Sequence, residues 1–188
     1  IGTDNIINAI EALSTVNITG TASVSEAGQT VFVRLNGVTY SSQVQLDGTW
    51  SIPISSSVIR NLPDGSYPIK VTLSDSAGNL TTVDSTLTLD ADPANLPTLS
   101  ISSISDDNFI NRAESTQDVV IKGVSTHVEA GRTVTVTLNG KDYTGQVQSD
   151  GSWQVTVLAA DVSNLPDGAL TAIAKVTDVS DNPANAGR

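Results

Sequence analysis

The sequence contains no cysteine and no methionine, a single histidine, and aromatic residues at only 4% of its 188 positions. Without cysteine there is no disulfide framework, no thiolate metal site and no cysteine nucleophile. One histidine, His127, leaves a zinc centre without its usual ligands. Basic residues are also scarce, with nine Lys and Arg against twenty Asp and Glu and a formal charge of −11. A surface of that sign cannot neutralise phosphates, which argues against nucleic acid and anionic membranes and leaves cations as the natural partners. No apolar run approaches the roughly 20 residues that span a bilayer. The start at Ile1 has neither an initiator methionine nor the pattern of a signal peptide, so the expectation is a piece of something longer.

What the sequence does contain is itself, written twice. Shifting it by 103 residues aligns 1–85 with 104–188 without a gap, giving 32 identities in 85 pairs. Asp4-Asn5, Asn8 and Glu11 match Asp107-Asn108, Asn111 and Glu114. Glu26-Ala27-Gly28 and Leu35-Asn36-Gly37 recur at Glu129 and Leu138, Asp47-Gly48-Thr49-Trp50 matches Asp150-Gly151-Ser152-Trp153, and Asn61-Leu62-Pro63-Asp64-Gly65 recurs at Asn164. A period of that length is the size of an independent small domain, not of a solenoid unit. Two tandem domains are expected, 1–92 and 98–188, with a short acidic, proline-containing linker at 93–97. Copy 1 has no counterpart of Pro97–Ser103 and copy 2 ends at the counterpart of Ser85, so copy 1 is expected to lack its first strand and copy 2 to have its last strand truncated.

Within a copy the apolar period is two. Val134, Val136 and Leu138 alternate with threonines, and Trp153, Val155 and Val157 alternate with Ser152, Gln154 and Thr156. Such runs, rich in β-branched residues, are half-buried strands, and the Asn-Gly and Asp-Gly pairs between them are hairpin signals. The pattern predicts strands near 98–104, 118–124, 132–138, 142–149, 152–158 and 169–177, with a seventh at 81–89 of copy 1. Seven short antiparallel strands around one buried tryptophan predict an all-β chain of two immunoglobulin-like sandwiches, end to end.

The acids fall into classes. Asp47, Asp64, Asp150 and Asp167 each precede glycine and are expected to form turns. Asp4, Asn8 and Glu11, repeated as Asp107, Asn111 and Glu114, are spaced i, i+4, i+7, which on a helical turn puts three oxygen-bearing groups on one face while Ile6, Ile7 and Ile10 point inward. Two readings fit. With Asp90 and Asp92 from the linker, the segment makes an all-oxygen cluster suited to Ca²⁺; alternatively Asp4 or Asp107 caps a short helix and the glutamate is solvated. The loop Asp75–Asn79 and its partner Asp178–Asn182 read as Asx turns, or else Asp178 or Asp181 lends a ligand to an ion at the domain junction. No nucleophile elbow or phosphate loop occurs, and no enzyme is expected.

These blocks, in this order, resemble the bacterial immunoglobulin-like repeats of giant RTX-type, type I-secreted adhesins. The resemblance rests on the segment Asp107–Glu114, on Val128–Gly140, on Asp150-Gly151-Ser152-Trp153, on Asn-Leu-Pro-Asp-Gly and on Asp75–Asn79, and it covers nearly the whole chain. It implies an extracellular spacer, repeated many times, that binds Ca²⁺ at its junctions and holds a terminal binding region away from the cell for attachment or biofilm formation. Carried onto this sequence, Asp4, Asn8 and Glu11 would hold the ion with Asp90 and Asp92, and Asp107, Asn111 and Glu114, beside Asp106, would form the next half-site. The chain departs from the pattern where Thr3 stands opposite Asp106 and where Asp181 stands opposite Gly78. The implied partners are neighbouring repeats of the same chain, with a monomeric state. The alternative is a module that itself binds a glycan, a host receptor or ice, for which exposed aromatics such as Phe32 and Phe109 would be needed.

Overall fold

Alternating apolar residues and two-residue turns dictate the architecture, seen in a computed structural model that describes residues 4–105 and 107–188. The chain divides into two compact units, Ile1–Asn95 and Leu96–Arg188. Unit 1 carries β1 (Ile6–Asn8), β2 (Val16–Thr21), β3 (Thr30–Leu35), β4 (Val38–Gln43), β5 (Thr49–Ile54), β6 (Gly65–Ser74) and β7 (Leu80–Asp90), with a one-turn helix α1 (Ser56–Ile59). Unit 2 carries β8 (Thr98–Ile104), β9 (Val119–Thr126), β10 (Thr133–Leu138), β11 (Lys141–Gln146), β12 (Ser152–Val157), β13 (Ala172–Thr177) and β14 (Pro183–Gly187), with α2 (Ala159–Val162).

The tight hairpins set the register. Asn36 and Gly37 adopt φ of 45° and 81°, and Asn139 and Gly140 adopt 49° and 76°. Left-handed conformation at both central residues is the type I′ turn whose twist matches that of the strands it joins. It fixes Leu35 opposite Val38 and Leu138 opposite Lys141. With period-two alternation, every second residue of β3 (Val31, Val33, Leu35) and β10 (Val134, Val136, Leu138) is then buried.

Each unit is two sheets packed face to face. In unit 1 the strand orders are β1-β7-β6-β3-β4 and β2-β5; in unit 2 they are β11-β10-β13-β14 and β12-β9-β8. Ile18, Trp50, Ile52 and Leu87 build one core, and Ile121, Trp153, Val155 and Val176 the other. Both tryptophans occupy the core as their pattern predicts, at 8% and 2% exposure. Removing one such fully buried aliphatic side chain costs about 2–5 kcal/mol, so a chain without disulfides depends on this packing for its stability.

Two expectations are corrected. The Asp4–Glu11 segment is not a helical turn: Asn5 is left-handed at φ 63°, Ile6–Asn8 pair in parallel with β7, and only Glu11–Leu13 form a 3-10 turn. Strand pairing supplies the hydrogen bonds that a helix would have made, and extended geometry over Ile6–Asn8 buries Ile7 and leaves Ile6 half-buried, while Ile10, in the turn that follows, is 59% exposed. The strand expected at 169–177 begins at Ala172, where its hydrogen bonds with Arg188 and its pairing with β10, Ala172 opposite Leu138, both end. In unit 1 the matching strand β6 starts at Gly65, where β7 extends far enough to pair with it.

Candidate cation-binding site

The repeated Asp-x3-Asn-x2-Glu segment is held by hydrogen bonds within itself. Asp4 Oδ1 accepts the Ile6 N–H at 3.0 Å, and Asp107 Oδ1 accepts that of Phe109 at 2.9 Å. Asn8 Oδ1 accepts from Ile10 and Glu11, both at 3.0 Å, while Glu11 Oε2 accepts back from the Asn8 N–H at 3.1 Å. In copy 2, Asn111 Oδ1 accepts from Ala113 at 2.8 Å and Glu114 at 3.2 Å, and Glu114 Oε2 accepts from Asn111 at 3.0 Å. This is the reciprocal bonding of a capping box, with asparagine in the place of serine or threonine. The Ser105 hydroxyl also donates to Glu114 Oε1. Both readings of the segment foresaw carboxylates at work, but the geometry gives the capping role to the Asn and Glu rather than to Asp4 or Asp107, which close Asx turns.

The pairing of β1 with β7 sets Asn8 directly beside Asp90. Next to Asp90, the Asp64 carboxylate reaches across 27 residues. Its Oδ1 accepts the backbone N–H groups of Ala91 at 2.7 Å and Asp92 at 2.9 Å, and its Oδ2 accepts from Asn95 Nδ2 at 3.3 Å. Asp92 in turn accepts from Ala94 at 2.9 Å. One end of unit 1 therefore gathers Asn8, Asp64, Asp90 and Asp92. Asp64 precedes a glycine, as a turn former does, but its carboxylate also fixes the segment that leaves β7.

In unit 2, Asp178 is 3% exposed and organises its loop, accepting the N–H groups of Ser180 and Asn182, both at 2.9 Å. Its counterpart Asp75 does the same for Ala77 and Asn79, and the Asn79 amide holds its carboxyl below the usual carboxylate range. Asp181, left-handed at φ 62°, lies 3.4 Å from the Arg132 guanidinium, which also donates to the Thr177 carbonyl and hydroxyl. Glu129 accepts from the Val179 N–H at 2.9 Å. Asp106 lies outside the described residues. Asp47 and Asp150 do form turns: each accepts a hydroxyl and an N–H from the residue two ahead, and the hydroxyl bond chiefly lowers each carboxyl.

The donor set is all oxygen, which suits a hard divalent cation such as Ca²⁺. Among the described residues, however, no three His, Cys, Asp or Glu side chains converge closely enough to hold a metal. A site built on these segments needs asparagine and backbone oxygens, which Ca²⁺ commonly takes. No helix among the described residues is long and apolar enough to cross a membrane.

The sequence pattern of a bacterial Ig-like domain matches residues 2–93. Among solved structures, the chain is similar over its whole length to a Ca²⁺-stabilized adhesin with which an Antarctic bacterium binds ice, at 32% identity and a TM-score of 0.53, covering 46% of that chain. It is similar to a 1.5-MDa bacterial ice-binding adhesin at 31% identity and a TM-score of 0.50, covering all of this chain and 60% of that one. The chain thus spans about half the length of these relatives. Fibronectin(III)-like modules of Clostridium thermocellum CbhA share the fold at 11% identity and a TM-score of 0.57, with 97% of this chain and 86% of that one covered. No curated protein matches the chain significantly. The chain belongs to the bacterial immunoglobulin-like domain family.

Proposed function

We propose that the chain is a non-enzymatic extender of a large bacterial surface adhesin: two tandem seven-stranded Ig-like domains, 1–92 and 98–188, joined by 93–97, with Ca²⁺ stiffening the junctions between repeats. On this reading the protein is extracellular, works as a monomer beside further repeats of its own chain, and projects a terminal binding region for attachment. The observation that carries the proposal is the repetition of an oxygen-rich segment at the same place in two domains that each have their own core. The similarity to an adhesin described as Ca²⁺-stabilized supports the choice of ion.

The physical logic is charge. At a net charge of −11, the acidic segment around Asp90 and Asp92 that leads into the linker repels itself, and a divalent cation relieves that repulsion while sharing ligands. In this proposal Asp4, Asn8, Glu11, Asp90 and Asp92 supply one set of oxygens and Asp106, Asp107, Asn111 and Glu114 another, with Asp178 and Asp181 as further candidates. Extracellular modules bind Ca²⁺ at roughly 10⁻⁴–10⁻³ M, so stiffening follows export from a Ca²⁺-poor cytoplasm. An ion at 100-fold excess over its Kd adds about 2.7 kcal/mol of stability. Thermal melting with Ca²⁺ and with EDTA tests this: a lower melting temperature on chelation supports it, and superimposable melts contradict it. A second reading, direct binding of a glycan, receptor or ice, draws on Phe109 and Phe32, exposed at 74% and 44%; glycan-array or ice-affinity binding lost in Phe109→Ala would favour it.

A further inference from the structure

We propose that the outer face of the five-stranded sheet of unit 1, centred on Arg34 and Lys70, binds a carboxylated polysaccharide of the uronate type. The observation that carries this is a pair of cations set against each other. In a chain with nine basic residues against twenty acids, Arg34 on β3 and Lys70 on β6 stand directly opposite one another. Cross-strand neighbours have Cβ atoms about 4.5–5.5 Å apart, and like charges placed there destabilise the sheet. Among the described residues neither makes an ion pair, not even Lys70 with Asp84, which stands opposite it on β7. The fold does not require the pair, because unit 2 builds the same sheet with Thr137 opposite Ile173 at these positions.

Two cations that repel one another gain by sharing an anion. The arginine fork grips a carboxylate through two parallel N–H···O bonds, and the ammonium adds a point charge. Asp84 bounds the face on the β7 side, so the anion sits over β3 and β6. The net charge of −11 opposes a polyanion at long range. Screening over about 8 Å at physiological salt confines that repulsion, and the two cations act inside this distance on a carboxylate in contact.

The surroundings choose a sugar over an acidic peptide. Alternation turns Phe32, Arg34, Lys70 and Thr72 outward, while Val33, Leu35, Ile69 and Val71 pack on the core. Phe32 lies two residues from Arg34 on the same face of β3, about 7 Å away, and is 44% exposed. Its ring face carries partial negative charge, which suits the C–H bonds of a pyranose laid flat on it. Ser41 and Thr39 stand opposite Phe32 and Arg34 on β4, and Thr82 stands opposite Thr72 on β7; all three are exposed and offer hydroxyls to those of the sugar. Both β3 and β6 are paired on each side, so this face has no free backbone edge for a peptide to extend. Unit 2 has Thr135 in place of Phe32 and Lys175 in place of Thr72, so its matching face lacks both the ring and the opposed pair.

The inference rests on the glycan reading of Phe32, which it narrows to one face and one ligand chemistry, and it is independent of the extender. The test is isothermal titration of the full chain with a galacturonic acid oligomer, in EDTA so that Ca²⁺ cannot bridge carboxylates. Expected is binding that weakens at least about tenfold in Arg34→Thr and in Lys70→Thr, and at least about threefold in Phe32→Thr. Lys175→Thr makes the same charge change in unit 2 and should leave the affinity at the parent value. No binding of the oligomer, or equal weakening by Lys175→Thr, would overturn the proposal. Equal binding of the fully methyl-esterified oligomer would overturn the role of the carboxylate and leave a neutral-glycan reading of Phe32 standing. A glutamate oligopeptide bound as tightly as the uronate would overturn the choice of a sugar.

Discussion

Asn8 and Glu11 cap one another: the Asn8 side-chain oxygen accepts the Glu11 N–H at 3.0 Å, and a Glu11 carboxylate oxygen accepts the Asn8 N–H at 3.1 Å. The same reciprocal pair recurs at Asn111 and Glu114. A pattern that looks like a set of cation ligands is thus also a local structural device, and the two roles make different demands. The cap needs acceptors; a cation needs charge.

Substitution separates them. Asn8→Ala removes the acceptor for two backbone N–H groups and should cost about 1 kcal/mol in EDTA, and more with Ca²⁺, where a proposed ligand oxygen is lost as well. Glu11→Gln keeps an acceptor but loses the charge, so it should melt like the parent in EDTA and show a diminished response to Ca²⁺. Paired melting curves, with and without the ion, check both.

The turn aspartates predict an acid-sensitive stability. Hydroxyl bonds from Thr49 and Ser152 lower the carboxyls of Asp47 and Asp150 from the ordinary 3.8. A carboxyl lowered by folding contributes stability that is present above its unfolded value and lost as pH falls through the folded one. Urea midpoints should therefore decline as pH drops below about 4, and Asp47→Asn with Asp150→Asn should flatten that decline.

Glycines under the tryptophans should differ between units. A Cβ at Gly20 would meet Trp50 Cζ2 at 2.4 Å, whereas at Gly123 it would meet the Ser100 backbone oxygen at 2.0 Å as well as the Trp153 ring. Gly20→Ala should cost about 1–3 kcal/mol, and Gly123→Ala more. Unfolding followed by one tryptophan, with the other changed to phenylalanine, reads each unit separately.

Burial likewise separates the two loop aspartates. Asp178 is 3% exposed and bonds two N–H groups of buried residues, so Asp178→Ala should cost about 1–3 kcal/mol for each donor left without a partner. Asp75→Ala should cost less, because water reaches that more open loop. Denaturant midpoints of the two variants give the comparison.

The strands and the tryptophan cores were legible because alternation and turn chemistry are local: Val134, Val136 and Leu138 are buried as their spacing requires, and Asn139-Gly140 turns where it should. The Asp4–Glu11 segment was not, since its extended form depends on pairing with β7, some eighty residues away. Asp64 was missed for the same reason. Nothing near it in sequence distinguishes a turn aspartate from one that reaches Ala91 and Asp92.

Small-angle scattering of this two-domain chain, titrated with Ca²⁺ and then with EDTA, tests the extender most directly. The account predicts a longer maximum dimension and a narrower distribution of distances with the ion, reversed by chelation and weakened by Asp90→Asn with Asp92→Asn. Profiles that superimpose with and without Ca²⁺ would contradict it.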